Sequence, residues 1–218
     1  MIKRKNIIKI AIDSPAAAGA GTQAKLISKH YNLLQLDTGR IYRYVANIKI
    51  SDPSKYNYKY IKKKIDNLKI KDLQNKKLSS DKVATIASII AKDKKIRKLV
   101  HAFQVKCAYN PPRRYDGSCL DGRDIGSKVV VNADVKFYIT ANVKVRAMRR
   151  YKELKAKNKK ITYKEVLKSL RKRDKSDKNR KISPLKKTKD MVLLNSSSES
   201  ISSCFMKIKK IIDRKINS

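Results

Sequence analysis

The sequence predicts an α/β protein with a parallel sheet covered by helices, and three observations carry that expectation. Short apolar runs alternate along the chain with stretches of helical spacing, and parallel strands need crossover connections long enough to hold a helix. The first apolar run passes through a loop of small residues directly into a helix. Three of the runs stop at an aspartate, at Asp13, Asp37 and Asp121, where a chain leaving a sheet turns.

Ile7 to Ile12, interrupted only by Lys9, reads as a buried strand ending at Asp13-Ser14-Pro15. Ser14 to Gly21 is almost entirely Ala and Gly, and over Thr22 to Tyr31 the residues Ala24, Ile27 and Tyr31 recur at helical spacing. Leu33 to Leu36 is a second short strand, after which Thr38-Gly39 opens a helix through Ile41, Tyr42 and Val45. From about Asn47 to Lys82 the composition turns to Lys, Tyr, Asn and Asp with few strong apolar patterns, as expected of a small solvated insertion. Helical spacing resumes at Val83, Ile86 and Ile90, continues in Ile96, Val100 and Phe103, and must stop before Pro111-Pro112. Ser118 to Leu120 and Val135 to Thr140 read as strands. A very basic helix over Val143 to Leu154, a polar hinge and a helix from Tyr163 to about Asp174 follow. Met191 to Leu194 is the last strand, and Ile201, Phe205, Ile208 and Ile212 mark a closing amphipathic helix. There is no internal repeat.

The chain has 218 residues, with 56 Lys and Arg against 18 Asp and Glu, a formal net charge of +38. The length suits one compact unit or a core with an insertion. No run approaches the roughly 20 apolar residues of a membrane span, and the basic start has no apolar stretch and cleavage pattern behind it; a cytosolic, monomeric protein is expected. Cys107, Cys119 and Cys204, odd in number, show neither CxxC spacing nor a His partner nearby, which argues against a disulfide scaffold or zinc site and points to reduced, structural thiols. A surplus of this size points first to polyanionic partners such as nucleic acid. Here lysine is spread with Ile, Asn and Tyr through almost every segment, a bias AT-rich coding also produces, so nucleic acid remains the second reading.

Chemistry concentrates in the loops after the strands. Small side chains in Ser14-Pro15-Ala16-Ala17-Ala18-Gly19-Ala20-Gly21-Thr22 let backbone N–H groups turn toward an anion at a helix N-terminus, where a Thr hydroxyl can ligate Mg²⁺. The phosphate-loop pattern G-x-x-x-x-G-K-[ST] is not matched, with Ser14 for the first Gly and Ala20 for the Lys. Asp37-Thr38-Gly39-Arg40-Ile41-Tyr42-Arg43 and Asp121-Gly122-Arg123-Asp124-Ile125-Gly126 end the second and third strands. In an open α/β sheet, ligands sit outside the carboxyl ends of the strands, so these three loops are expected to converge. Arg146, Arg149 and Arg150 taken alone fit a solvated helix face, Asp37 and Asp121 fit helix caps, and His30 and His101 fall outside every motif.

The segments IDSPAAAGAGT, LDTGRIYR, LDGRDIGSKVVVNADVKFYITANVKVRAMRRY and RDKSDKNR, in this order and at these separations, resemble the successive signatures of bacterial cytidylate kinases. The resemblance runs from Ile8 to the C-terminal helix, with the insertion before Val83 shorter than usual. It implies a P-loop kinase: a core of residues 1–46, 83–145 and 182–218, a nucleoside-monophosphate-binding insertion over 47–82 and a lid over 146–181. It implies that Ser14 to Thr22 wraps the ATP phosphates, with Thr22 helping to place Mg²⁺, and that Thr38 lies on the acceptor side. Arg43, Arg123 and Arg180 would hold the phosphate of CMP or dCMP, Arg173 and Asp177 would read the sugar hydroxyls, and Ser88, Arg97 and Asp124 the base. Arg146, Arg149 and Arg150 would face the transferred phosphoryl group. Ala20 leaves two rivals: a nucleotide-binding protein impaired in catalysis, and a basic nucleic-acid-binding protein on the same fold.

Overall fold

The computed structural model describes residues 7–157 and 160–216. Five strands, β1 (Ile8–Asp13), β2 (Leu33–Asp37), β3 (Gly117–Gly122), β4 (Val135–Thr140) and β5 (Val192–Asn195), form one sheet in the order β2-β3-β1-β4-β5. Every pairing is parallel, so all five carboxyl ends lie along one edge. Register brings Asp121 opposite both Ile12 and Asp37, and Asp13 opposite Gly122, which sets the first three loops side by side.

Alternation along the strands divides the core. Ile10, Ile12, Cys119, Phe137 and Ile139 pack on one face with α1 (Ala20–His30) and α8 (Ile201–Ile216). Ala11 and Leu120 point to the other face, where α2 (Gly39–Ser51), α3 (Tyr58–Asp66), α4 (Asp81–Ile90) and α5 (Lys94–Tyr109) lie. Burial of these apolar faces drives the sandwich. All three cysteines are buried and free. Burial pushes the Cys107 thiol up to about 11 and raises Cys119 and Cys204, which keeps them protonated and inert.

Three elements differ from the periodicity. The helical spacing of residues 83–103 is two helices, because the six residues from Ile90 to Ile96 advance about 600°, two-thirds of a turn beyond one full rotation, and the apolar stripe cannot continue. Asp93 starts the second helix by accepting from the N–H groups of Lys95 at 2.8 Å and Ile96 at 3.1 Å. The insertion is helical and contributes Ile61, Ile65, Leu68, Leu73 and Leu78 to the core; its apolar residues are spaced among three short helical segments, too sparsely for a single stripe. After α6 (Val143–Lys155), helix α7 (Tyr163–Asn179) runs past Asp174, since Asp177 is drawn inward by an arginine of the third loop. A third apolar cluster joins these two helices to the first loop: Ala16 packs with Ala147, Leu154, Val166 and Leu170.

Candidate active site

Gly19, at φ 90°, ends the first loop and starts α1, a left-handed turn that glycine adopts without strain. Ser14 to Ala18 are buried or half-buried, Ala20 is buried at the first position of α1, and Gly21 and Thr22 are exposed at its mouth. The Thr38 hydroxyl donates to the carbonyl of Asp121 at 2.8 Å. A Cβ on Gly122 would stand 2.5 Å from that hydroxyl oxygen, so only glycine lets the second and third loops approach this closely.

Asp13 opens the strand-to-helix loop, and the sequence assigns it no role of its own. Its carboxylate accepts from the N–H groups of Ile125 at 2.7 Å and Gly126 at 3.0 Å, tying β1 to the third loop. Burial, opposed by those N–H groups and reinforced by Asp124, pushes its pKa from the usual carboxylate range to about 7. The folded protein therefore binds this proton more tightly than the unfolded chain. The expected result is that stability falls as pH rises from about 4 through 7, by up to about 1.4 kcal/mol per unit. Urea titrations across that range would show the slope in the parent, and a flatter profile in Asp13→Asn; equal slopes would contradict it.

Arginines from separate elements meet above the sheet edge. Arg43 on α2 is half-buried and donates to the carbonyl of Leu78 at 3.4 Å. Burial lowers its pKa, as do Arg40, Arg150 and Arg123 against the pull of Asp37. Arg123 Nε lies 2.8 Å from Asp177 Oδ2, with Arg173 Nε 4.0 Å from the same oxygen. Burial and the neighbouring Arg123 bring Arg173 down to about 10. Asp124, 6% exposed, is shared: Arg97 pairs with Oδ2, and Arg180 Nη2 stands 3.5 Å from Oδ1. Burial lowers Arg180 while Asp124 opposes it. Tyr42 lies under the Arg97 guanidinium, 5.6 Å from ring centroid to carbon, and burial pushes its hydroxyl up to about 12. Burial disfavours the charged forms of Arg43, Arg173 and Arg180, and an anion placed among them would favour those forms.

The three arginines of α6 separate. Arg146 is buried, paired with Asp174 and donating to the carbonyls of Ala141 at 2.8 Å and Ala16 at 2.9 Å. Arg149 binds Ser196 through the hydroxyl at 3.1 Å and the carbonyl at 2.6 Å. Arg150 pairs with Glu153 at 2.8 Å, and its charge also acts on Arg43. Successive helical residues point about 100° apart, which is why neighbouring arginines on α6 reach different partners. Ser88 sits on α4 with its hydroxyl donating to Thr85 at 2.7 Å. His30 packs edge-on against Tyr31 and Phe205, behind the sheet. Tyr42 lies within the motif after β2 without a role of its own there, and Ser196 carries no motif; its position just past β5, at the sheet's carboxyl edge, is its one signal.

A family model described as cytidylate kinase matches residues 10–214. A protein named cytidylate kinase from Bartonella henselae is 42% identical over 209 residues, covering 94% of each chain. One of the same name from Clostridium tetani is 36% identical, covering 96% of this chain and 95% of its own. A crystal structure of an uncharacterized protein from Eubacterium ventriosum superposes with a TM-score of 0.56 over 94% of this chain and 98% of its own, at 15% identity, a likeness of fold. No helix among the described residues is long and apolar enough to cross a membrane.

Proposed function

The chain belongs to the cytidylate kinase family, and we propose that its site transfers the γ-phosphoryl group of ATP to CMP or dCMP, giving ADP and the corresponding diphosphate. The observation that carries this is the meeting of Arg43, Arg173 and Arg180, whose charged forms burial disfavours, around Arg123 and its Asp177 partner. The second pKa of a phosphate monoester is about 6, so the acceptor is largely a dianion and needs no strong general base. What the protein supplies is alignment and charge neutralisation as an acceptor oxygen attacks Pγ and the bridging oxygen leaves with ADP. Arginine suits that task because its planar fork fixes a phosphate.

In this reading the first loop holds the ATP phosphates, Arg43, Arg123 and Arg180 the acceptor phosphate, and Arg173 with Asp177 the sugar. Arg150 serves the transferred group, with Arg149 held on Ser196 beside it, Ser88 and Arg97 join Asp124 at the base, residues 47–82 form the acceptor insertion and 146–181 the lid. The protein works as a cytosolic monomer. Mg²⁺ fits the residues present: Thr22 is exposed at the loop mouth, and the buried Asp121 keeps Oδ1 without a hydrogen-bond partner. Asp121 Oδ2 lies 3.6 Å from where a Cβ on Gly21 would stand. Burial, Asp37 and Asp13 raise the Asp121 pKa well above its usual value, the condition a bound cation relieves. One or two carboxylates beside phosphate oxygens are the usual setting for this ion, which would neutralise phosphate charge.

The test is ADP formation with each nucleoside monophosphate in turn; turnover with CMP and dCMP is expected, and none with any monophosphate would overturn the reading. Base choice gives a second measurement. Cytosine presents an N4 amino donor where uracil presents an O4 acceptor, so a carboxylate at Asp124 attracts one and repels the other. Asp124→Asn should lower the CMP to UMP ratio of kcat/KM by about tenfold or more. An unchanged ratio would place selectivity elsewhere.

A further inference from the structure

Ala20 stands where a phosphate loop carries lysine, and the loop is held from outside instead. Two of its carbonyls receive donors from the segments after β4 and β5. Arg146 Nη1 donates to Ala16 at 2.9 Å, and Ser196 Oγ donates to Ala18 at 3.0 Å. Both donors are buried, Arg146 at 4% and Ser196 at 6% exposure. Each is itself fixed, Arg146 by Asp174 and Ser196 by the Arg149 guanidinium, which donates to the same hydroxyl at 3.1 Å. The backbone of Ser196 is pinned as well, its N–H donating to Thr140 at 2.8 Å.

The consequence follows from peptide geometry. In a trans peptide the N–H of one residue points opposite to the carbonyl of the residue before it. Drawing the carbonyls of Ala16 and Ala18 outward therefore aims the N–H groups of Ala17 and Gly19 inward. These are the two loop residues with positive φ, 60° and 90°, the alternation that makes a concave anion-binding nest. Ala17 gains no freedom from its side chain there, so its conformation has to be imposed by neighbours.

We infer that Ser196, polarised by Arg149 and acting alongside Arg146, is a positioning residue that holds the lysine-free loop in its phosphate-receiving shape. The inference rests on the reading of this loop as the ATP site. Its effect is on the loop and so on ATP, while the acceptor side, built from α2, the third loop and the end of α7, is left alone. A lysine at position 20 would attract the same phosphates and make the pre-set loop less necessary, so the two devices should overlap.

The experiment measures the affinities for ATP and for CMP by calorimetry, and KM and kcat, in Ser196→Ala, Ser196→Thr, Ala20→Lys and Ser196→Ala with Ala20→Lys. Loss of one charge-polarised hydrogen bond should weaken ATP binding about five- to tenfold and leave CMP affinity unchanged. Ser196→Thr, which keeps the hydroxyl, should restore most of it, and the Ser196→Ala penalty should shrink in the Ala20→Lys background. Equal weakening toward both nucleotides, or a lowered melting temperature with ATP affinity intact, would show a merely structural serine and overturn the inference. So would a penalty undiminished beside Lys at position 20. A parent protein that binds ATP without phosphorylating CMP would refute the kinase reading, and ATP affinity would still decide the role of Ser196.

Discussion

Arg123→Ala is expected to lower kcat/KM for CMP by about a thousandfold, the scale on which a single aligned cation or oxyanion donor acts in a transition state. Arg123 is the hinge of the acceptor arginines. It pairs with Asp177 at 2.8 Å, and its charge acts on Arg43 and Arg173. Removing it leaves Asp177 facing Arg173 at 4.0 Å, so the carboxylate keeps a cationic neighbour, and the pair is partly open to water, with side chains 20% and 13% exposed. The stability cost should stay near that of a surface ion pair, about 1 kcal/mol. Turnover and the urea midpoint, measured on the same preparation, decide the matter. A variant of near-normal kcat would remove the acceptor-phosphate role, whereas a collapse of both quantities would make Arg123 structural.

Arg150→Ala should lower kcat by about a hundredfold or more while changing ATP affinity little. The structure distinguishes Arg150 from its neighbours, because Arg146 and Arg149 are bound to the half-buried Asp174 and the buried Ser196, while Arg150 pairs with the more exposed Glu153 and its charge acts on Arg43. With Ala20 at the loop, the transferring group has lost the cation that usually tracks it. A lid arginine and a lysine at position 20 would then serve one phosphoryl group, and redundant charges give non-additive losses. Ala20→Lys is expected to recover part of the activity lost in Arg150→Ala. Strict additivity in the double-mutant cycle would mean that backbone N–H groups alone compensate for Ala20. Phosphoryl transfer absent from every variant and from the parent would favour the binding-only rival.

The fold was legible because its signals are local and repeated. Runs such as Ile7 to Ile12 and Val135 to Thr140 are short, largely apolar and β-branched, as buried strands are, and the intervening helical stripes favour parallel crossovers. The insertion was less legible, since Ile61, Ile65, Leu73 and Leu78 are separated by lysines and asparagines and reach the core only through short turns. The strand-end loops could be placed at one edge from the sequence, yet their contents could not be divided by role. Three arginines within five residues of α6 read alike as text, yet Arg146 and Arg149 reach Ala16 and Ser196, 130 and 47 positions away, while Arg150 pairs with Glu153 on its own helix.

What the sequence by itself determined is the alternation of strand and helix, the small-residue loop, the missing lysine and the supply of arginines, because each depends on residue type and near neighbours along the chain. What only the tertiary structure decided is the assignment of charge. The burial of Asp13 and Asp121, the sharing of Asp124 between Arg97 and Arg180, and the grip of Arg146 and Ser196 on the first loop depend on distances between distant segments. Hydrogen bonds and ion pairs decay over a few ångströms and strengthen as water is excluded, so their outcome is set when the sheet closes and brings those segments together.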